Sequence, residues 1–127
     1  MSTKIWENLE VLENQNWISD QFSGRGHFEF RGQLRFSGDW TGSIRSDDPG
    51  ACIFILKGAS IKGSIHVARV VVEGKLSDVE VQTRSFEAHH GATVIGRVYA
   101  ENLLIDEGAI VQGDISSVSF KLDTGQI

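Results

Sequence analysis

From residue 58 onward the apolar positions fall two apart, in short runs separated by glycine and polar residues: Ile61 and Ile65 about Gly63, then Val70 and Val72, Val94 and Val98 about Gly96, Leu103 and Ile105, Val111 and Ile115 about Gly113. A period of two is that of a strand with one face buried, and no helical period of ~3.6 residues runs through this region. The pattern predicts a succession of short strands.

The runs also repeat. One set of glycines stands at Gly38, Gly58, Gly74, Gly91, Gly108 and Gly125, with later intervals of 16 or 17 residues. The units beginning at Gly91 and Gly108 superpose without a gap, matching Val94 to Val111, Gly96 to Gly113, Val98 to Ile115, Leu103 to Phe120 and Ile105 to Leu122. A signature of two apolar residues flanking a central glycine recurs at 30–34, 40–44, 61–65, 94–98 and 111–115. That glycine lies between two inward residues, where a side chain would press on the neighbouring coil. Short strands, glycine corners and a fixed period predict an all-β, single-domain parallel β-helix. Three apolar clusters per unit predict a triangular aliphatic core, and about six windings at a spacing of ~4.8 Å predict a rod on the order of 30 Å long.

Three stretches break the pattern. Residues 45–51 add length and carry the only proline, Pro49, which predicts a loop bulging from one corner. The unit at Gly74 has Ser77 where a second glycine is expected, leaving its register open between Val79 and Val81. In the first coil, 28–36, aromatics replace aliphatics, which suggests a partial or distorted winding.

The ends differ from the middle. Residues 1–20 stand outside the repeat, and Ile5, Leu9 and Leu12, with Trp6 alongside, fit one face of a short helix or tail preceding a solenoid at 21–127. This segment reads as a cap over the first coil or as a membrane or partner contact through Ile5, Trp6, Leu9, Trp17 and Ile18. Glu7, Glu10 and Glu13 stand where interfacial helices usually carry Lys and Arg. A solenoid without polar caps leaves unpaired backbone and apolar core at its ends. Phe28 and Phe30 in the first coil, and Phe120 and Leu122 in the last, are therefore expected to form an end-to-end self-association surface.

Composition narrows the function. The 127 residues suit one domain, and a net charge of -5 without a basic cluster lacks the footprint of a nucleic-acid binder. The single cysteine, Cys52, makes no internal disulfide. No apolar run approaches the ~20 residues of a membrane-spanning helix, and the N-terminus lacks the basic start and apolar run of a secretory signal, so a cytoplasmic protein is expected. The four histidines occupy different offsets of the repeat and do not converge on a metal. Neither a nucleotide loop nor an acid–base pair nor an activated nucleophile is evident, so no cofactor and no enzymatic activity are expected. A second reading is a solenoid enzyme or glycan-binding module, in which Arg69, Arg84, His89 and His90 would meet an anionic polymer such as cell-wall glycan.

The order of units from Gly58 to Ile115 resembles the bactofilins, small bacterial cytoskeletal proteins. The likeness is carried by residues 58–65, 70–75, 91–96 and 107–115, and extends upstream to Phe28. The loop at 47–50, Ser77 and the acidic, Trp-bearing N-terminal segment depart from it. The resemblance implies a right-handed β-helix that polymerises end to end without nucleotide into non-polar filaments. It implies a scaffold for cell-shape or cell-wall machinery, with cell-wall enzymes, inner-membrane proteins or the inner membrane surface as further partners. It also implies that Phe120 matches an apolar aromatic of the last winding involved in polymerisation.

Overall fold

The computed structural model describes residues 4–7 and 15–120, with side chains from residue 17 onward. These residues form eleven strands and no helix: β1 (Lys4–Glu7), β2 (Gln15–Ile18), β3 (Phe22–Glu29), β4 (Gln33–Phe36), β5 (Asp39–Arg45), β6 (Cys52–Ile55), β7 (Ser60–His66), β8 (Arg69–Val72), β9 (Lys75–Ala88), β10 (Thr93–Ile105) and β11 (Ile110–Ser117). Every pairing is parallel. The chain is a β-solenoid of about six windings, as the repeat predicts.

Four inward columns make the core. One runs Gly24, Trp40, Ile61, Leu76, Val94, Val111, and a second runs Phe28, Ile44, Ile65, Val81, Val98, Ile115. The opposite wall supplies Leu34, Ile53, Val70, Phe86, Leu103 and, beside it, Phe36, Ile55, Val72, Ala88, Ile105, with Ile18 over Phe36. Ladder pairing satisfies the backbone while alternation sends every second side chain inward, which is why β-branched residues dominate the columns.

Between the first two columns runs a column of small residues, Gly26, Gly42, Gly63, Val79, Gly96 and Gly113, where the strand bends. The signature glycine of the first winding is thus Gly26 rather than Gly32. Gly24, at the inward position before it, has no apolar side chain to complete the signature, and Trp40 packs beneath, stacked on Phe22 at 6.1 Å and edge-on to Phe28 at 5.4 Å. Gly32 belongs to a loop at φ 78°, with its N–H donating to Asp48 Oδ2 at 2.8 Å. The Pro49 insertion is pinned there. Asp48 also accepts from the Gly50 N–H at 2.9 Å, and these backbone donors, Gly50 foremost, hold its carboxyl below the usual range.

The register left open near Gly74 resolves as a bulge. Val79 pairs with Gly63 and Gly96, Val81 with Ile65 and Val98, and Asp78 is the extra residue at φ 53°. An aspartate tolerates that left-handed conformation better than most side chains, so a bulge forms where a glycine was expected.

Cys52 is 4% exposed, and burial pushes its thiol up to about 11. At pH 8 roughly a thousandth of it is thiolate. Reaction with an aromatic disulfide reagent is expected to be slow in the native protein and to accelerate in urea together with unfolding; labelling at the rate of a free thiol would contradict this burial.

Candidate assembly surface

The four inward columns end together. In the last winding Leu103 is 39% exposed, Ile105 43% and Ile115 38%, with Val111 half-buried, although Phe86, Ala88, Val98 and Val94 one winding earlier are buried. The backbone is open in the same plane. Among the described residues β11 pairs only with β10, and residues 102–105 of β10 pair only with residues 85–88 of β9. An apolar surface bordered by unpaired N–H and C=O groups accepts further strands and excludes water from the core.

At the opposite end β1 lies on β3 and β2 on β4, placing Ile5 beside Ser23 and Trp6 beside Gly24. The segment expected to form a tail or short helix therefore contributes strands at Lys4–Glu7 and Gln15–Ile18, because the edge of β3 and β4 offers its backbone a ladder partner. Ile18 is buried over Phe36, whereas Trp17 faces outward above Arg35 and is 74% exposed. Leu9 lies outside the described residues.

Three of the four residues expected at the ends, Phe28, Phe30 and Phe120, lie within the described residues. Phe28 and Phe30 are interior, in edge-to-face contact at 6.4 Å and essentially inaccessible, with Phe28 paired to Ile44 of β5 and its ring edge-on to Trp40. Phe120 leaves the ladder and lies on the flank, its ring 5.0 Å from that of His66 and 5.8 Å beneath the Arg84 guanidinium, so it does not cover the last winding. Leu122 lies outside the described residues. Among the described residues the four columns end at Leu103, Ile105, Val111 and Ile115, at offsets 12, 14, 3 and 7 of the repeat.

The basic row on the flank is engaged within the chain. Arg69 donates to Glu87 Oε2 at 2.8 Å, while His89 reaches Glu87 Oε1 at 3.1 Å through Nε2 and Asp106 Oδ2 at 2.7 Å through Nδ1. Burial alone would raise the Glu87 carboxyl, but the hydrogen bonds from Arg69 and His89 outweigh it and hold it low. His90 Nδ1 faces the Glu107 carbonyl at 3.3 Å. No cluster of three or more metal-ligating side chains occurs among the described residues, and among them no helix is long and apolar enough to cross a membrane.

A family model described as "Bactofilin: Polymer-forming cytoskeletal" matches residues 16–116. The chain belongs to the bactofilin family. No curated protein and no solved structure matches it. The matched segment of this bactofilin starts inside β2 and ends inside β11, so it covers all four inward columns and stops with the winding that carries the open end. The family is a structural, cytoskeletal one.

One flank contact of this bactofilin carries a pH dependence. The hydrogen bond to Asp106, with a smaller one to Glu87, raises the His89 imidazole above its ordinary value. The resulting stability is complete below about pH 6.5 and is lost as pH rises through the folded-state pKa. His89 is 31% and Asp106 42% exposed, so solvent limits the effect to about 0.5 kcal/mol. The urea midpoint of the wild type, relative to His89→Gln, is expected to be higher at pH 5.5 and to converge with it by pH 8. An advantage that grows with pH would refute the ion pair.

Proposed function

We propose that the chain is a filament subunit that assembles by stacking solenoid ends, without nucleotide, and that the polymer scaffolds cell-shape or cell-wall machinery in the cytoplasm, at the inner face of the cytoplasmic membrane. One observation carries this reading: in a chain of a polymer-forming family, the apolar columns and two strand edges of the described residues come to a part-exposed end in one plane, unpaired among those residues. Leu103, Ile105, Val111 and Ile115 would be covered by a neighbouring subunit, and residues 102–105 and β11 would find ladder partners across the junction. Trp17, a large apolar side chain exposed among the described N-terminal residues, is where a membrane or partner contact would begin.

The glycan-binding reading finds no comparable support, since Arg69 and His89 face carboxylates of their own chain and Arg84 lies over Phe120. Negative-stain microscopy of the purified protein, without added nucleotide, is expected to show long unbranched filaments. Dispersed monomers at high concentration would overturn the proposal.

A further inference from the structure

The C-terminal segment of the described chain has two places to go, and it occupies the one the repeat does not specify. The Val118 N–H donates to the Ala100 carbonyl at 3.0 Å, continuing the ladder of β11 on β10. Extending that register by a few residues would seat Phe120 over Leu103, as the apolar residue of the next winding. Instead, residues 118–120 turn onto the flank. There the Phe120 N–H donates to Glu101 Oε2 at 2.7 Å, the ring packs on His66 and Arg84, and the segment roofs a cavity floored by Glu80, Gln82 and Tyr99. Leu103, which Phe120 would cover in that register, is 39% exposed.

We propose that residues 118–120 are a strap with two seats, the flank and the end, and that seating on the flank keeps the C-terminal end open to a second copy of the chain. This rests on the end-to-end reading above. Phe120 over Leu103 and a neighbouring subunit over Leu103 exclude each other, because both cover the same side chain. The flank seat is held by a charge-assisted hydrogen bond, a cation–π contact and an aromatic pair, all at the surface, whereas the end seat would be held by burial of apolar area. Contacts of unlike kind and comparable size make a two-state element whose balance modest changes at the flank can shift. Assembly is then regulated by residues that never touch the junction.

The test uses the full chain. Arg84→Ala combined with Glu101→Gln weakens the flank seat and is expected to raise the critical concentration for sedimentable polymer roughly two- to threefold, the effect of about 1 kcal/mol on two seats of comparable population. Adding Phe120→Ala, whose methyl group cannot cover Leu103, is expected to return it to the wild-type value. Below the critical concentration, the ring current of Phe120 is expected to displace the His66 ring-proton resonances, and Phe120→Ala to shift them back. Wild-type assembly by the Arg84 and Glu101 double variant would overturn the proposal. So would loss of filaments in Phe120→Ala alone, which would put the ring in the junction itself, or His66 resonances indifferent to Phe120→Ala. Leu103→Arg separates the two levels: if it assembles normally, the end-to-end reading fails, whatever the strap does.

Discussion

Leu103→Arg is expected to yield a folded protein that forms no filaments at concentrations where the wild type assembles fully. The residue is 39% exposed in the isolated chain, so the guanidinium reaches water in the monomer and folding is nearly unaffected. In a stacked junction the same position lies between Phe86 of its own chain and the neighbouring subunit, with no carboxylate in the column to pair it. Burying an unpaired charge costs on the order of several kcal/mol, which raises the critical concentration roughly a hundredfold or more. Ile115→Arg, at the end of another column, is expected to behave alike. Circular dichroism and sedimentation of the variants check both halves of the expectation, and a folded Leu103→Arg protein that still polymerises would remove the end face from the junction.

The largest effect on folding is expected at Gly63. An added Cβ would stand 2.0 Å from the Gly42 carbonyl oxygen, a backbone atom fixed by the ladder, and φ is already 124°. Gly63→Ala is therefore expected to destabilise the protein by about 3–5 kcal/mol, or to prevent folding, since overlap and backbone strain add and neither neighbour can move without opening the stack. Gly58 is the control. It has φ 89° but nothing within 4 Å of its Cβ position, so Gly58→Ala meets only the left-handed backbone penalty of about 1–2 kcal/mol. Equal urea midpoints for the two variants would contradict the assignment of the Gly63 column as a contact between windings.

These two glycines also show what the repeat concealed. Gly38, Gly58, Gly74, Gly91 and Gly108 read as one series in the sequence, yet they do two jobs. Gly58, Gly91 and Gly108 turn corners at φ between 86° and 91°, whereas Cβ atoms on Gly38 and Gly74 would strike the carbonyls of Phe22 and Leu56 at 2.4 and 2.3 Å. The inward columns were legible because alternation and burial share one period. Asp78 was not, because a bulge adds a residue without a characteristic composition. Gly26 was hidden by Gly24, which vacates the apolar position before it, with Trp40 beneath filling the core.

At the candidate site the chemistry was legible and the placement was only partly so. An open, apolar solenoid end follows from the columns, but the period places Phe120 over Leu103, whereas its ring lies on the flank against His66 and Arg84. His89 and Asp106 are 17 residues apart, one repeat, so their stacking could have been read directly from the period. Phe28 and Phe30 seemed terminal because the N-terminal strands, lacking the signature, did not look like part of the ladder.

The central claim is that solenoid axes run along the filament, and fibre diffraction from aligned filaments tests it most directly. Parallel strands stacked along the solenoid repeat every ~4.8 Å. End-to-end assembly places that reflection on the meridian, along the filament axis. A ~4.8 Å reflection on the equator would mean that subunits associate side by side, and would contradict the account.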